Sequence, residues 1–143
     1  MFIKQISIFV ENSQGKILPI TKALADANID IRALSVSDTR DFGILRMIVA
    51  DCDKACSVLR EIGCAVAVNE VIGVGVDDTP GGFSKAIEVL NDAQISVEYV
   101  YAFISRTENM AYVILRVEDN EIAAKALRDG NIRLITQEDI LSM

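Results

Sequence analysis

The sequence repeats itself with a shift of 66 residues, as from Gly15 to Gly81, and this repeat constrains the fold more than any other feature. The aligned segments are 10–17 with 76–83, 24–29 with 90–95 and, after an insertion of two residues, 43–47 with 111–115. Few identities survive, but the polar, small and apolar positions keep their order. A repeat of this length indicates a duplicated supersecondary unit.

Each unit follows a strand–helix–strand–strand–helix–strand order, because stretches of period two alternate with helical stripes. In the first unit we predict strands over 2–10, 29–37, 42–50 and 64–68, with helices over 14–28 and 53–62. In the second we predict strands over 70–77, 95–104, 110–118 and 132–136, with helices over 80–93 and 121–129 and a short helical tail. The order predicts an α+β, ferredoxin-like βαββαβ fold repeated twice, in modules 1–68 and 69–143, each an antiparallel sheet with its helices on one face.

The residues expected to face the core from the helices share one stripe on each helix. They are Ile17, Ile20, Leu24, Ala27, Ala55, Val58, Leu59, Ile62, Phe83, Ile87, Leu90, Ile122, Ala126 and Leu127. The strands 42–49 and 97–104 are apolar on both faces, which is typical of a sheet covered on both sides. The helix-free face is therefore expected to meet the sister unit, a second subunit or both.

Composition and charge argue against several classes of partner. The formal net charge is −7 and Lys and Arg form no basic stripe, so nucleic acid is not an expected partner. No apolar run approaches the roughly 20 residues that a membrane helix needs, so no membrane role is expected. The start of the chain, residues 1–6, alternates like a strand and does not resemble a signal peptide. We expect a cytoplasmic protein.

The three cysteines and the lack of histidine bear on metal and redox chemistry. An odd number of cysteines without a secretory signal predicts reduced thiols. Cys52 and Cys56 are four residues apart on a predicted helix and could hold a metal ion, but small core residues are the simpler interpretation without histidine or Cys-x-x-Cys spacing. The pair Gly73 and Gly75 lacks the third glycine of a dinucleotide fingerprint, because Asp78 stands there. We expect no metal and no cofactor.

The first strand–helix loop of the second unit is the predicted binding site. Thr79 or Asp78 suits the N-cap, and Pro80 suits the first helical position. Gly81 and Gly82 would then occupy the first turn without side chains. This arrangement would leave main-chain N–H groups open at the positive end of the helix dipole, where a carboxylate binds well.

The equivalent loop of the first unit has Asn12 or Ser13 as its expected cap and Gly15 as its single glycine. Acidic neighbours such as Glu11 and Asp77 disfavour a bare anion but suit a zwitterion, whose ammonium could bind a side-chain oxygen. The pattern therefore favours an amino acid over a phosphate. The candidate ligand-binding residues are Glu11, Asn12, Ser13, Gln14, Gly15, Lys16, Ile17, Asp77, Asp78, Thr79, Pro80, Gly81, Gly82 and Phe83.

The duplicated units, with loops 12–15 and 78–81 before their first helices, resemble ACT domains, and the stretch 15–31 is similar to the first helix and second strand of that family. The resemblance implies a regulatory protein that binds an amino acid or another small ligand where two modules meet side by side. It also implies a homodimer of a free-standing ACT pair and, as a possible partner, a regulated biosynthetic enzyme. Gln14 in place of proline and Lys16 in place of a second glycine make the two loops unequal.

Three functions compete at this point. The first is a ligand-binding regulatory module, in which the ligand favours one packing of modules over another. The second is an interaction or assembly subunit without a ligand. The third is an enzyme, which the lack of histidine makes the least expected, because it removes a hydrolase triad and a histidine metal site.

Overall fold

The computed structural model describes residues 2–11, 14–38, 41–104 and 107–143. The chain divides into two compact units, Lys4–Asn69 and Glu70–Met143, the latter together with the first residues up to Ile3. The predicted module boundary after residue 68 stays a prediction. Thr39 and Arg40, between the predicted strands 29–37 and 42–50, lie outside the described residues. Within the described ranges, no helix has the length and apolar character needed to cross a bilayer.

The first unit has the predicted order of elements. They are β1 (Ile3–Glu11), α1 (Ile17–Asp26), β2 (Ile31–Asp38), β3 (Phe42–Val49), α2 (Cys52–Glu61) and the beginning of β4 (Ala65–Asp77). The sheet order is β2-β3-β1-β4, and β1 and β2 both pair antiparallel with β3. The side chain of Gln5, in β1, donates a hydrogen bond to Oδ1 of Asn69 at 3.1 Å.

The second unit repeats this order. It contains the remainder of β4, then α3 (Gly82–Asp92), β5 (Val97–Ala102), β6 (Met110–Val117), α4 (Asn120–Asp129), β7 (Arg133–Ile135) and α5 (Gln137–Leu141). The sheet order is β5-β6-β4-β7, and all of these pairings are antiparallel. The predicted α+β fold of two βαββαβ units, with antiparallel sheets and helices on one face, is confirmed.

Strand register follows the internal repeat. Ile6 lies opposite Met47 in the first unit, and the aligned residues Ile72 and Leu115 lie opposite each other in the second. The edge strands β2 and β5 also carry a register shift at the same aligned position. The two-residue insertion is therefore absorbed between the second and third strands of the unit, where it leaves the pairing intact.

Each unit has its own apolar core between the helices and one face of the sheet. The first core includes Ile6, Ile8, Ile20, Leu24, Leu45, Met47, Ala55, Cys56 and Leu59, and the second includes Ile72, Val74, Val76, Ala86, Leu90, Leu115, Val117, Ala123 and Leu127. The prediction that Ile17, Ile62, Phe83 and Ile122 face inward is wrong, because all four are exposed. Small residues such as Ala55, Ala86 and Ala123 take the sheet-facing positions and let the helices lie close to the strands.

The helix-free faces of the two units differ. In β6, Tyr112 and Ile114 alternate with the core-facing Leu115, and both are buried. In the first unit Gln5 and Ile48 on this face are also buried, but Phe9 and Phe42 are 53% and 61% exposed. That the apolar helix-free face meets a partner stays a prediction.

Candidate functional site

The loop that joins β4 to α3 is a type II turn, which corrects the predicted capping. The Gly82 N–H donates to the Thr79 carbonyl at 3.0 Å, with Pro80 and Gly81 as the central residues. Gly81 has φ 88° and ψ −7°, the left-handed conformation that this turn requires at its third position. Gly81 is the N-cap and α3 begins at Gly82, so the predictions of Thr79 or Asp78 as the cap and of Pro80 inside the helix are wrong. Pro-Gly is itself the sequence signature of this turn.

Glycine is favoured at Gly81 and at Gly82 for different structural reasons. A Cβ at Gly82 would overlap the carbonyl oxygen of Asp77, so α3 can start this close to the end of β4 only with glycine there. A Cβ at Gly81 would meet nothing within 4 Å, so its left-handed φ, not crowding, favours glycine. The side of the loop next to Gly81 is open.

The first turn of α3 leaves two main-chain donors. The turn uses the Gly82 N–H, and the first intrahelical bond runs from the Lys85 N–H to the Gly81 carbonyl at 3.2 Å. The amides of Phe83 and Ser84 therefore precede the helical hydrogen-bond ladder and have no acceptor within it. They are the donors that the sequence places at the positive end of the helix dipole.

A crevice of about 380 Å³ lies along α3 in the second unit. Its lining residues are Gly75, Val76, Asp77, Gly82, Lys85, Glu88, Val89, Asp92, Gly130, Asn131 and Ile132. Asp77 and Gly82 are the predicted site residues that line it. Asp78, Thr79, Pro80, Gly81 and Phe83 lie on the exposed loop and helix start and do not line it.

Two features shape the walls of this crevice. The pairing of β7 with β4 covers Gly73–Gly75, so the strand edge at Val76 and Asp77 extends past β7 and borders the crevice. On the other side, Gly130 packs against Val89, and a Cβ there would lie 2.6 Å from a Val89 methyl group. The close approach of the end of α4 to α3 therefore forms the opposite wall.

The charged residues of the crevice are Lys85, Glu88 and Asp92 from α3 and Asp77 from β4. Sequence reasoning missed the three helix residues, although their spacing of three and four places them on one helix face. That signal was available in the sequence but marks a solvated helix face equally well. One ammonium, three carboxylates and nearby main-chain groups can bind both ends of a zwitterion.

The equivalent loop of the first unit has different chemistry. Gly15 keeps the left-handed conformation, with φ 81°, but Lys16 stands where the second unit has Gly82 and is the N-cap of α1. The Lys16 ammonium lies 3.9 Å from Oε2 of Glu11, the residue equivalent to Asp77. Ile17 begins α1 and is exposed, and Gln14 precedes Gly15 in the turn.

The predicted caps Asn12 and Ser13 lie outside the described residues, and the cap of α1 is Lys16 instead. Among the described residues, the Lys16 side chain makes no capping hydrogen bond at this helix start. Because a lysine with a nearby glutamate replaces the glycine that packs on the strand end, the two loops are not chemically equivalent.

The cysteines belong to the first unit. All three are free thiols, and Cys52 and Cys56 are buried at the start of α2. Burial, followed by the neighbouring Cys56, raises the pKa of Cys52 from its ordinary 9.0 to about 11. Across the described ranges, no cluster of three or more histidine, cysteine or acidic residues is arranged to hold a metal ion.

Comparison with known proteins gives one family and several similar structures. The family profile described as an ACT domain pair matches residues 1–143. No curated protein sequence matches the chain. A crystal structure of a protein from Bacteroides thetaiotaomicron is similar at 34% identity and TM-score 0.91, over 100% of this chain and 98% of that chain.

Two more distant structures share the fold. The regulatory subunit of aspartate kinase from Thermus thermophilus is similar at 17% identity and TM-score 0.66, over 90% of this chain and 92% of that chain. Aspartate kinase from Synechocystis is similar at 21% identity and TM-score 0.56, over 89% of this chain but only 24% of that chain. The fold therefore occurs both as a separate subunit and as part of a larger enzyme chain.

Proposed function

Because the chain belongs to the ACT domain pair family, we propose that it is a regulatory protein that binds a small zwitterion, an amino acid, in the crevice along α3. The observation that carries the proposal is the crevice itself, which Asp77 and Gly82 of the predicted loop help to line. Its volume of about 380 Å³ falls within the range typical of small-molecule sites.

The charges of the crevice match the two ends of an amino acid. Lys85 supplies a cation for the carboxylate, and the amides of Phe83 and Ser84 lie at the adjacent helix start. Glu88 and Asp92 supply acceptors for the ammonium one and two turns further along α3. A bare anion would meet three carboxylates and one ammonium, so the charge balance disfavours it.

The relatives support a regulatory role in amino-acid metabolism. The Thermus thermophilus structure is a regulatory subunit of aspartate kinase, and we propose by analogy that this chain controls a biosynthetic enzyme. Signalling would arise because a bound ligand favours one arrangement of the modules over others. We further propose a homodimer, a cytoplasmic location consistent with the three free thiols, and a binding rather than a catalytic role.

The test is a panel of the twenty amino acids, each added singly to the full chain in thermal unfolding and isothermal titration calorimetry. We expect one or a few to raise the melting temperature and bind saturably. In the Lys85→Gln variant the affinity should fall about tenfold or more, since a charge-assisted hydrogen bond is lost. The matched control, Lys22→Gln on the exposed face of α1, should bind as the original chain does. A panel without any response contradicts the proposal, and unchanged affinity in Lys85→Gln places the ligand elsewhere.

One observation favours a second candidate, an assembly subunit without a ligand. Phe9 and Phe42 occupy neighbouring positions on β1 and β3, on the helix-free face of the first unit, and both are more than half exposed. Large exposed apolar side chains that cluster often mark protein interfaces. A specific complex with a biosynthetic enzyme that forms equally with and without every amino acid of the panel would favour this candidate.

A further inference from the structure

The two units end their first helices in the same way, so that the duplicated halves of the chain can be compared position by position. The C-caps of α1 and α3, Ala27 and Ala93, have identical φ and ψ of −87° and 5°. The residues that follow, Asn28 and Gln94, both have φ 59°. The carbonyl groups at these helix ends therefore have the same local frame in both units.

In the first unit an ammonium group binds this helix end. Nζ of Lys54 donates a hydrogen bond to the carbonyl oxygen of Ala27 at 2.7 Å. The position of Lys54 is set by the cap of α2, because its own N–H donates to Oδ1 of Asp51 at 3.1 Å. A cation at a helix C-terminus is favoured by the negative end of the helix dipole.

In the second unit the same cap is present but the ammonium is missing. The N–H of Ile122 donates to Oδ1 of the cap residue Asp119 at 3.2 Å, so Ile122 holds the position that Lys54 holds in the first unit. An isoleucine side chain cannot donate to the Ala93 carbonyl. The Ile122 side chain is 59% exposed.

A crevice of about 390 Å³ lies at this helix end in the second unit, and Ala93 and Ile122 both line it. Its acidic residues are Glu98, Glu118 and Asp119. The aligned positions of the first unit hold an arginine, an alanine and an aspartate. The second unit therefore has a carboxylate in place of the arginine, a second carboxylate in place of the alanine, and an apolar side chain in place of Lys54. Arg116 lies 3.4 Å from Glu98, so the surroundings remain net acidic after this ion pair is included.

We propose that this crevice binds a small organic cation whose primary ammonium binds the Ala93 carbonyl, as the Lys54 ammonium binds the Ala27 carbonyl in the first unit. The first unit shows an alkylammonium at the matching carbonyl, and this internal comparison identifies the ligand chemistry. Ile95 and Ile122 offer apolar surface to a methylene stem, as a lysine side chain would. Glu118 and Asp119 supply carboxylates for a second ammonium, so a diamine fits better than a monoamine.

This site is separate from the proposed amino-acid crevice. The two crevices share no lining residue, and this one is formed by the end of α3 and the start of α4. Loss of amino-acid binding in Lys85→Gln should therefore leave amine binding unchanged, and each proposal can fail without the other.

The test uses 1,5-diaminopentane in calorimetric titration of the full chain, at constant ionic strength. We expect saturable binding of the diamine and no binding of 1,5-pentanediol, which has the same length and no charge. The Ile122→Lys variant should lose diamine binding and gain melting temperature, because its own ammonium reaches the Ala93 carbonyl. Ile122→Met, an uncharged variant at the same exposed position, should bind the diamine as before.

Two outcomes overturn the proposal. One is the absence of diamine binding at millimolar concentration, and the other is undiminished binding in Ile122→Lys. A further titration with the N-acetylated amide of lysine distinguishes the source of the ammonium. Tighter binding of the lysine derivative than of the diamine supports a protein lysine as the occupant, and the reverse supports a free amine.

Discussion

A Cβ atom on Gly82 would overlap the carbonyl oxygen of Asp77, so the first residue of α3 lies directly against the last residue of β4. Both residues also line the crevice along α3. The close approach of this helix to its strand therefore shapes the proposed ligand site. In the first unit Lys16 holds the position of Gly82, and the helix start there has a different chemical surface.

Replacing Gly82 with alanine should destabilise the protein by about 1–3 kcal/mol, since a main-chain oxygen cannot move aside as a flexible side chain can. Urea unfolding of the full chain measures this change. The control is Ser84→Ala in the same turn of α3, which is exposed and should change the unfolding free energy by no more than about 0.5 kcal/mol. Equal stability of the two variants would show that α3 starts further from the strand.

Replacing Gly81 with alanine should cost about 1–2 kcal/mol for a different reason. Its φ of 88° is unfavourable for a residue with a Cβ, although a Cβ there would meet nothing within 4 Å. Gly81→Asn should cost less, because asparagine tolerates the left-handed region and adopts it at Asn28 and Asn131 of this chain. A lower unfolding free energy for Gly81→Asn than for Gly81→Ala, measured by urea unfolding, would contradict this account of the turn.

Replacing Lys54 with methionine should lower the unfolding free energy by about 1 kcal/mol, because the hydrogen bond to the Ala27 carbonyl is lost at an exposed position. Ethylammonium chloride should restore part of the lost melting temperature in this variant, compared with the same concentration of sodium chloride. The control Lys22→Met lies on α1 and should show neither the loss nor the rescue. A rescue of equal size in both variants would mean that the amine acts through general ionic effects.

Stability should fall with alkaline pH through the Cys52 thiol. Its pKa is raised to about 11 in the folded protein, chiefly by burial, so the unfolded chain loses this proton first as pH rises above 9.0. The thiol therefore does not change stability below about pH 9, and the folded state loses stability progressively as the pH rises from about 9 to about 11. Chemical unfolding at pH 8 and pH 10 should show a smaller alkaline loss in Cys52→Ala than in the original chain. An identical loss in both would assign the pH dependence to other groups.

Much of the fold follows from local pattern. The repeat predicted that 43–47 aligns with 111–115, and the structure pairs Met47 with Ile6 and Leu115 with Ile72 in the same register. The order of elements was also predicted correctly, because alternation and helical stripes are properties of short stretches. The capping of α3 was not, because two local rules competed at Pro80 and the type II turn took precedence over the first helical position.

The candidate sites, unlike the fold, depend mainly on tertiary packing. The sequence by itself determined the duplication and the strand register, because these depend on neighbouring residues and on the period of the pattern. The tertiary structure alone decided that Lys85 and Asp92 face the crevice closed by Gly130, and that Ile122 leaves the Ala93 carbonyl without the ammonium that Lys54 supplies to Ala27. These relationships join elements that are distant in the chain, and only the packing of α2 against α1 and of α4 against α3 brings them together.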